Sequence, residues 1–265
     1  VRKAQQKLKR KSLKSNHSGE DPLSVSPNEP SHGSHTRRGS AFLAGDTRSK
    51  RSEQTVLCIL GLGNPGVEYR DTRHNVGFWL VEHLAERLGL RFRRGFFSPF
   101  SIARIDVRDI YRQLGNSAPD TDQLSFETLV LVKPLTYMNR AGKVIPHLLR
   151  TFGHRTRFAV AVDQLDLDPG SLRVKKRGGT AGHNGLKSIV AYLDREFWPF
   201  YIGIGRPESK DDVISHVLGV PGESERRLLD ESINRLSDWI LSLPFADFDQ
   251  AIGEINARVP RDARA

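Results

Sequence analysis

A chain of 265 residues with 37% hydrophobic content is long enough for one α/β domain with a full core, and part of it is too polar to pack. A single cysteine, Cys58, excludes an intrachain disulfide framework, and there is no apolar run of the ~20 residues that a membrane-crossing helix needs. The formal net charge of +10 is unevenly spread: residues 1–54 hold 12 Lys+Arg against 5 Asp+Glu, and residues 55–265 hold 29 against 26.

Residues 1–54 open on a Lys/Arg-rich stretch and pass into a Ser/Pro/His/Gly mixture with few apolar side chains. Such a composition does not offset the entropy of ordering, so a disordered basic extension is expected. An RNA-contacting arm or a targeting segment are its functional readings; an incidental extension is the one adopted. A reducing, cytoplasmic setting fits one cysteine and no secretory leader, with an organelle stroma or matrix as the alternative if the extension is a transit segment.

The first predicted strand is Thr55–Leu60. It stops at Gly61-Leu-Gly-Asn-Pro-Gly66 and is followed by Thr72-Arg-His-Asn75 and a helix over 76–88. Ser101–Val107 alternates as a strand, and 109–125 reads as an inserted surface loop. Thr128–Lys133 and Phe158–Val162 read as buried strands, separated by a helix from about 141 to 152. A basic strand over 172–176, a glycine loop over 178–185, a helix over 186–193 and a strand over 200–204 follow. The remainder has helical spacing. This alternation predicts one α/β domain over 55–256, with a mostly parallel sheet, helices on both faces and a short tail over 257–265. The loops after Leu60, Lys133 and Val162 then share one sheet edge, where such folds place their sites. Cys58, inside the first strand, reads as a small buried hydrophobe and not as a nucleophile.

Gly61-Leu-Gly-Asn-Pro-Gly66 has the form of a dinucleotide fingerprint, but polar residues 68–73 intervene before the helix and Pro65 removes an amide. The glycine loop before Lys187 lacks the Gly-Lys-Ser/Thr of a phosphate loop. His74, Asp163 and His183 have no close-spaced metal-ligand pattern, and no metal or cofactor is expected. What stands out is grouping: Asn64, His74, Asn75, Asn139, Asp163, His183 and Asn184 all fall in loops at element ends. Asparagines offer donors and acceptors together, which suits holding a water and a polar substrate.

Five motifs in order, Gly61–Gly66 with Thr72–Asn75, Lys133-Pro-Leu-Thr-Tyr-Met-Asn139, Asp163-Gln-Leu-Asp-Leu with Pro169-Gly170, Gly182-His-Asn-Gly-Leu-Lys187 and Gly203-Ile-Gly-Arg-Pro207, resemble bacterial-type peptidyl-tRNA hydrolases over about residues 55–245. The resemblance implies a monomeric α/β domain with a mixed twisted sheet. It also implies metal-free cleavage of the ester between a peptide and the 3′ ribose of tRNA. On that resemblance His74 is the base and Asp163 the carboxylate that orients it. Asn64, Asn139 and Asn184 bind water, peptide backbone and oxyanion, while Tyr137 and Met138 line the peptide groove. Tyr69, Asn75 and His183 join the substrate-binding surface, and Lys175 grips the tRNA 5′-phosphate. Tyr201 stands where the family's second phosphate ligand is Arg, Gln164 where an acidic residue is usual, and Ala141 where Ser is frequent. The rival reading is a non-catalytic RNA-binding relative of the same fold. A small-ester hydrolase ranks below both because no Ser or Cys nucleophile motif is present.

Overall fold

The computed structural model describes residues 55–113, 120 and 124–257. The extension over 1–54, most of the expected insertion and residues 258–265 lie outside them. Seven strands form one sheet in the order β2-β3-β4-β1-β5-β7-β6. They are β1 (Val56–Gly61), β2 (Arg93–Arg94), β3 (Phe100–Asp106), β4 (Thr128–Pro134), β5 (Thr156–Gln164), β6 (Leu172–Val174) and β7 (Phe197–Gly203). The four central strands, β4, β1, β5 and β7, run parallel; β2, β3 and β6 make antiparallel edges. Central strands buried on both faces read as continuous apolar runs, and β1 is buried at all six positions.

The register sets the site. Leu60 lies opposite Val132 on one side and Val160 on the other, so β1 and β4 end within about a residue of each other. β5 runs on to Gln164, which carries Asp163 past the end of β1. Helices α1 (Val76–Arg87), α6 (Glu223–Ser242) and α7 (Phe248–Ala257) pack with Leu57, Ile59, Ala159 and Ala161 on one face. The other face carries a 3-10 segment (Met138–Val144), α3 (Ile145–Phe152) and α4 (Asn184–Val190), packed on Cys58, Leu60, Val160 and Val162. Cys58 is fully buried there, and burial pushes its thiol pKa up.

α1 lies unusually close to the sheet. A Cβ at Gly77 would sit 2.3 Å from the Ala161 carbonyl oxygen, and one at Gly61 2.1 Å from the Gly77 carbonyl oxygen. Two glycines at one crossing therefore let the first turn of α1 rest on the strand ends, with His74 just ahead of it.

Three expectations change. The first part of the expected loop over 109–125 is helical, because α2 runs Val107–Gln113 and buries Ile110; one apolar anchor amid polar neighbours is too little periodicity to show in sequence. The helix expected from about 141 begins at Met138 as a 3-10 segment and becomes α-helical only at Ile145. The two-residue β2 is exposed and went unseen, since a pair of arginines has no strand signature.

Candidate active site

His74 sits in a 3-10 turn, Arg73–Asn75, that leads into α1. Its neighbours are tied from several directions. Thr72 Oγ1 donates to the Tyr69 carbonyl at 2.8 Å and Trp79 Nε1 to the Arg70 carbonyl at 2.7 Å. Arg73 forms a fork on Glu225 of α6 at 2.7 and 2.6 Å, and its Nη1 donates to the His216 carbonyl at 3.1 Å. A bidentate pair this sheltered adds geometric precision as well as energy. The turn bearing His74 is thereby held between the sheet end and α6.

Asp163 is 4% exposed, and its Oδ1 lies 2.8 Å from His74 Nδ1 and 3.0 Å from His183 Nε2. The alternation of β5 aims Asp163 to the same side as Ala159 and Ala161, the α1 side, from which His74 approaches. His183 comes from the other face, immediately before α4. The strand end is thus gripped from both layers. Burial would raise the Asp163 pKa; the two imidazoles beside it, and hydrogen bonds from both, hold it well below the usual carboxylate range. An ionised carboxylate only accepts, so each facing ring nitrogen donates.

His183 confirms this independently. Its Nδ1 accepts from the amides of Gly185 and Leu186, at 3.1 and 3.3 Å, and so caps α4. A nitrogen that accepts carries no proton, so the proton sits on Nε2 and faces Asp163. For His74 the same logic puts a proton on Nδ1 and leaves Nε2 as a free lone pair. Burial alone would push the His74 pKa down, but the charge of Asp163 and the hydrogen bond to it hold it above the ordinary imidazole value. The capping role was not legible in sequence, because Ser, Thr, Asp and Asn are the usual caps and Asn184, not His183, is the conventional candidate.

The asparagines divide into two groups. Asn75 is 2% exposed and spends both ends of its amide on the Asn64 backbone: Oδ1 accepts from the Asn64 amide at 2.8 Å and Nδ2 donates to its carbonyl at 3.0 Å. Asn75, expected among the substrate-binding residues, is placed as a brace of the Asn64 loop. Asn64 in turn accepts at Oδ1 from the Met138 amide at 2.8 Å, which orients its Nδ2 as the remaining donor. Asn139 and Asn184 are exposed at the starts of the 3-10 segment and of α4. These two elements are docked on each other, with the Gly142 amide donating to Ser188 Oγ at 3.0 Å.

Tyr137 is 56% exposed beside a buried Met138, and Tyr69 is partly buried below His74 in the chain. A cleft of about 370 Å³ opens beside Asn64, with Arg70, Phe78, Glu82, Lys133 and Leu135 in its walls. Lys133 pairs with Glu82 there and stands 5.0 Å from the Phe78 ring centre. On the opposite side of the site, Lys175 is exposed and its ammonium lies 5.7 Å from the Tyr201 ring centre. Tyr201 itself is 3% exposed within the second core layer. Gln164 accepts at Oε1 from the Asp166 amide at 3.2 Å and so supports the turn after β5.

His74, Asp163 and His183 bring three donor atoms within 4.8 Å of one another. The set does not suit a cation, because the His183 and His74 nitrogens that face Asp163 are both protonated donors. What remains is an α/β domain with an imidazole–carboxylate pair and exposed asparagines near one polar cleft, an arrangement that suits hydrolysis through an activated water. The chain belongs to the peptidyl-tRNA hydrolase family. The family model for peptidyl-tRNA hydrolase matches residues 58–263. The peptidyl-tRNA hydrolase of Acinetobacter baylyi is 37% identical over 212 residues, covering 78% of this chain and 98% of that protein. That of Cupriavidus pinatubonensis is 37% identical over 213 residues, covering 76% and 98%. The solved peptidyl-tRNA hydrolase of Acinetobacter baumannii is 35% identical with a TM-score of 0.64, covering 77% of this chain and 96% of that one.

Proposed function

We propose that the chain hydrolyses the ester that joins a peptide to the 3′-terminal ribose of tRNA, releasing both. The observation that carries the chemistry is the His74–Asp163 pair at 2.8 Å, with the other imidazole nitrogen left as a lone pair. His74 Nε2 takes a proton from a water. The resulting hydroxide attacks the ester carbonyl carbon, and the carbonyl electrons move onto oxygen. Asp163 stabilises the imidazolium that forms. As the tetrahedral intermediate collapses, the C–O bond to the ribose breaks. Its oxygen takes the proton from His74, leaving the peptide as a carboxylic acid, which then loses its proton to solvent. An ester needs no stronger nucleophile, so neither a serine nor a metal is required.

Asn64 Nδ2 and the exposed amides of Asn139 and Asn184 are the donors for the oxyanion and the peptide carbonyls. Asn64→Asp tests the first, because the aspartate oxygen still accepts from the Met138 amide while the donor is lost. The expected outcome is a kcat about 10²–10³-fold lower, the usual cost of an oxyanion donor, with a melting temperature close to the parent's; an unchanged kcat removes Asn64 from that role.

The peptide lies on the Tyr137, Met138 and Leu135 side, and the acceptor end on the Lys175 side. Lys175 provides the charge for the 5′-phosphate, with the Tyr201 ring beneath it as a cation–π seat. Tyr201 cannot be exchanged for Arg without placing a guanidinium inside the apolar layer, so Tyr201→Arg is expected to lower the melting temperature and not to tighten binding. Lys175→Ala is expected to raise KM and to reduce the log–log salt slope by about 0.7–0.9. The loss of affinity disappears on substrate lacking the 5′-phosphate; an equal KM rise on both substrates removes the contact. The domain acts as a monomer in this reading. The assay that tests the whole is hydrolysis of an N-blocked aminoacyl-tRNA by the full chain. Binding without turnover supports instead the non-catalytic RNA-binding alternative.

A further inference from the structure

The turn between β2 and β3 carries the most exposed large apolar side chains among the described residues, Phe96 at 93% and Phe97 at 90% exposure. A single apolar side chain on a surface needs no explanation, but an adjacent pair on a built turn does. The Ser98 amide donates to the Gly95 carbonyl at 3.0 Å, so residues 95–98 close a β-turn with the two phenylalanines at its centre. Arg94 Nε donates to the Ser98 carbonyl at 3.0 Å, and Ser98 Oγ donates to the Phe100 carbonyl at 2.8 Å. The two rings meet edge to face with their centres 4.5 Å apart. Phe97 has a φ of 59°, a left-handed backbone that glycine adopts freely and a bulky side chain does not. Strained residues of this kind cluster at active sites and ligand clamps.

The turn belongs to the same end of the sheet as the catalytic residues. β3 runs antiparallel to β4 with Phe100 opposite Pro134, and the Leu135 amide donates to the Pro99 carbonyl at 2.8 Å. Leu135 lines the cleft beside Asn64, and three residues further on the Met138 amide donates to Asn64 Oδ1. Val67, in the wall of that cleft, is strongly exposed, and so is Tyr137, between Leu135 and Met138. The backbone path from Met138 to Leu135, across one strand spacing to Pro99 and on to Phe97, is at most roughly 25 Å. About seven extended residues span that length.

We propose that Phe96 and Phe97 form a remote subsite for the peptide of the substrate. They take an apolar side chain within about seven residues of the ester, so that long, apolar peptides on tRNA bind better than short or polar ones. The occupant follows from what the turn adjoins. The ester divides the substrate into an RNA end and a peptide end, and the RNA end belongs on the Lys175 side. The cleft that leads to the turn has Val67, Phe78 and Leu135 in its walls. The cations nearest in the chain to this path are engaged by the protein itself, Lys133 by Glu82 and Arg94 by the Ser98 carbonyl. Apolar contact is non-directional, which suits peptides of many sequences. The inference rests on the proposed function and deepens it by naming a class of peptide. Contacts so far from the reacting carbonyl bind substrate and transition state alike, so their loss raises KM and leaves kcat.

The test is the double variant Phe96→Ser, Phe97→Gly in the full chain. Glycine suits a φ of 59° and neither ring is buried, so the melting temperature is expected to hold. Three substrates share one tRNA and one C-terminal amino acid. They are the N-acetylaminoacyl-tRNA, a peptidyl-tRNA of about ten residues with leucines at about the fourth to eighth residues from the ester, and the same peptide with serines there. The unaltered protein is expected to have a KM about fivefold or more lower for the leucine peptide than for the serine peptide. In the variant the leucine KM rises about five- to tenfold, the share of a partly buried apolar side chain, and the preference disappears. KM for the N-acetylaminoacyl-tRNA changes less than about twofold, and kcat holds on all three. The conservative variant Phe96→Leu, Phe97→Tyr keeps the preference. An unaltered protein with no leucine preference overturns the subsite, and so does a preference that survives the double variant. An equal KM rise on all three substrates also overturns it and assigns the turn to the RNA. If the unaltered protein hydrolyses none of the three, the functional reading fails, and the subsite with it.

Discussion

Replacing His74 with alanine is expected to lower kcat by about 10²–10⁴-fold, the usual loss for a general base, while KM for an N-blocked aminoacyl-tRNA changes little. The reason is positional. His74 Nδ1 is committed to Asp163 at 2.8 Å, which leaves Nε2 as the lone pair directed away from the carboxylate. Among the described residues, the neighbouring imidazole is not placed to take over. The other imidazole, His183, has Nε2 on Asp163 and Nδ1 on two backbone amides. The removed ring is partly exposed and caps no helix, so melting temperature should move far less than activity. Single-turnover rates separate the two effects, and a variant that keeps more than about a tenth of the parental kcat eliminates His74 as the base.

Asp163→Asn should be comparably severe, again about 10²–10⁴-fold in kcat, and it carries a second signature. The folded His74 pKa lies above the ordinary imidazole value because the Asp163 charge and hydrogen bond outweigh burial. A base works only when unprotonated, so the parental kcat rises with pH through that raised pKa and levels above it. An asparagine removes the charge and leaves burial, which favours the neutral ring. The acidic limb of the kcat profile therefore moves to lower pH even as the plateau falls. A variant with a lower plateau and an unmoved limb contradicts the account, because it separates Asp163 from the protonation of His74. Asparagine also supplies an amide donor where two ring N–H groups need acceptors, so part of the loss is orientational.

His183 and Asn75 show where sequence reasoning reached its limit. Both belong to the right loops, and grouping alone drew attention to them. Their tasks are set by partners distant in sequence: His183 by Asp163 and by the first amides of α4, Asn75 by the backbone of Asn64. Arg73 is a sharper case. It stands beside His74 in sequence, and Glu225, 152 positions later, claims its guanidinium in a fork. Nothing local in Thr-Arg-His-Asn announces an acid on α6. Tyr201 is a further case. It stands where the family's second phosphate ligand is Arg, and the register of β7 turns it into the apolar layer.

By itself, the amino-acid sequence determined the α/β class, the buried central strands and the loops at their ends. It also determined the family, through five motifs in register. Those features are local: apolar runs of strand length, glycines and prolines that stop them, and polar residues at fixed offsets from the stops. Only the tertiary structure decided which polar residue does which task. Hydrogen-bond direction, tautomer and burial depend on what arrives from the other layer. Asp163 acquires its strength as an acceptor only where β5 outruns β1 and rings from both faces meet it. The 3-10 segment that carries Asn139 meets α4, which carries Asn184, only because Gly142 lets the two backbones touch.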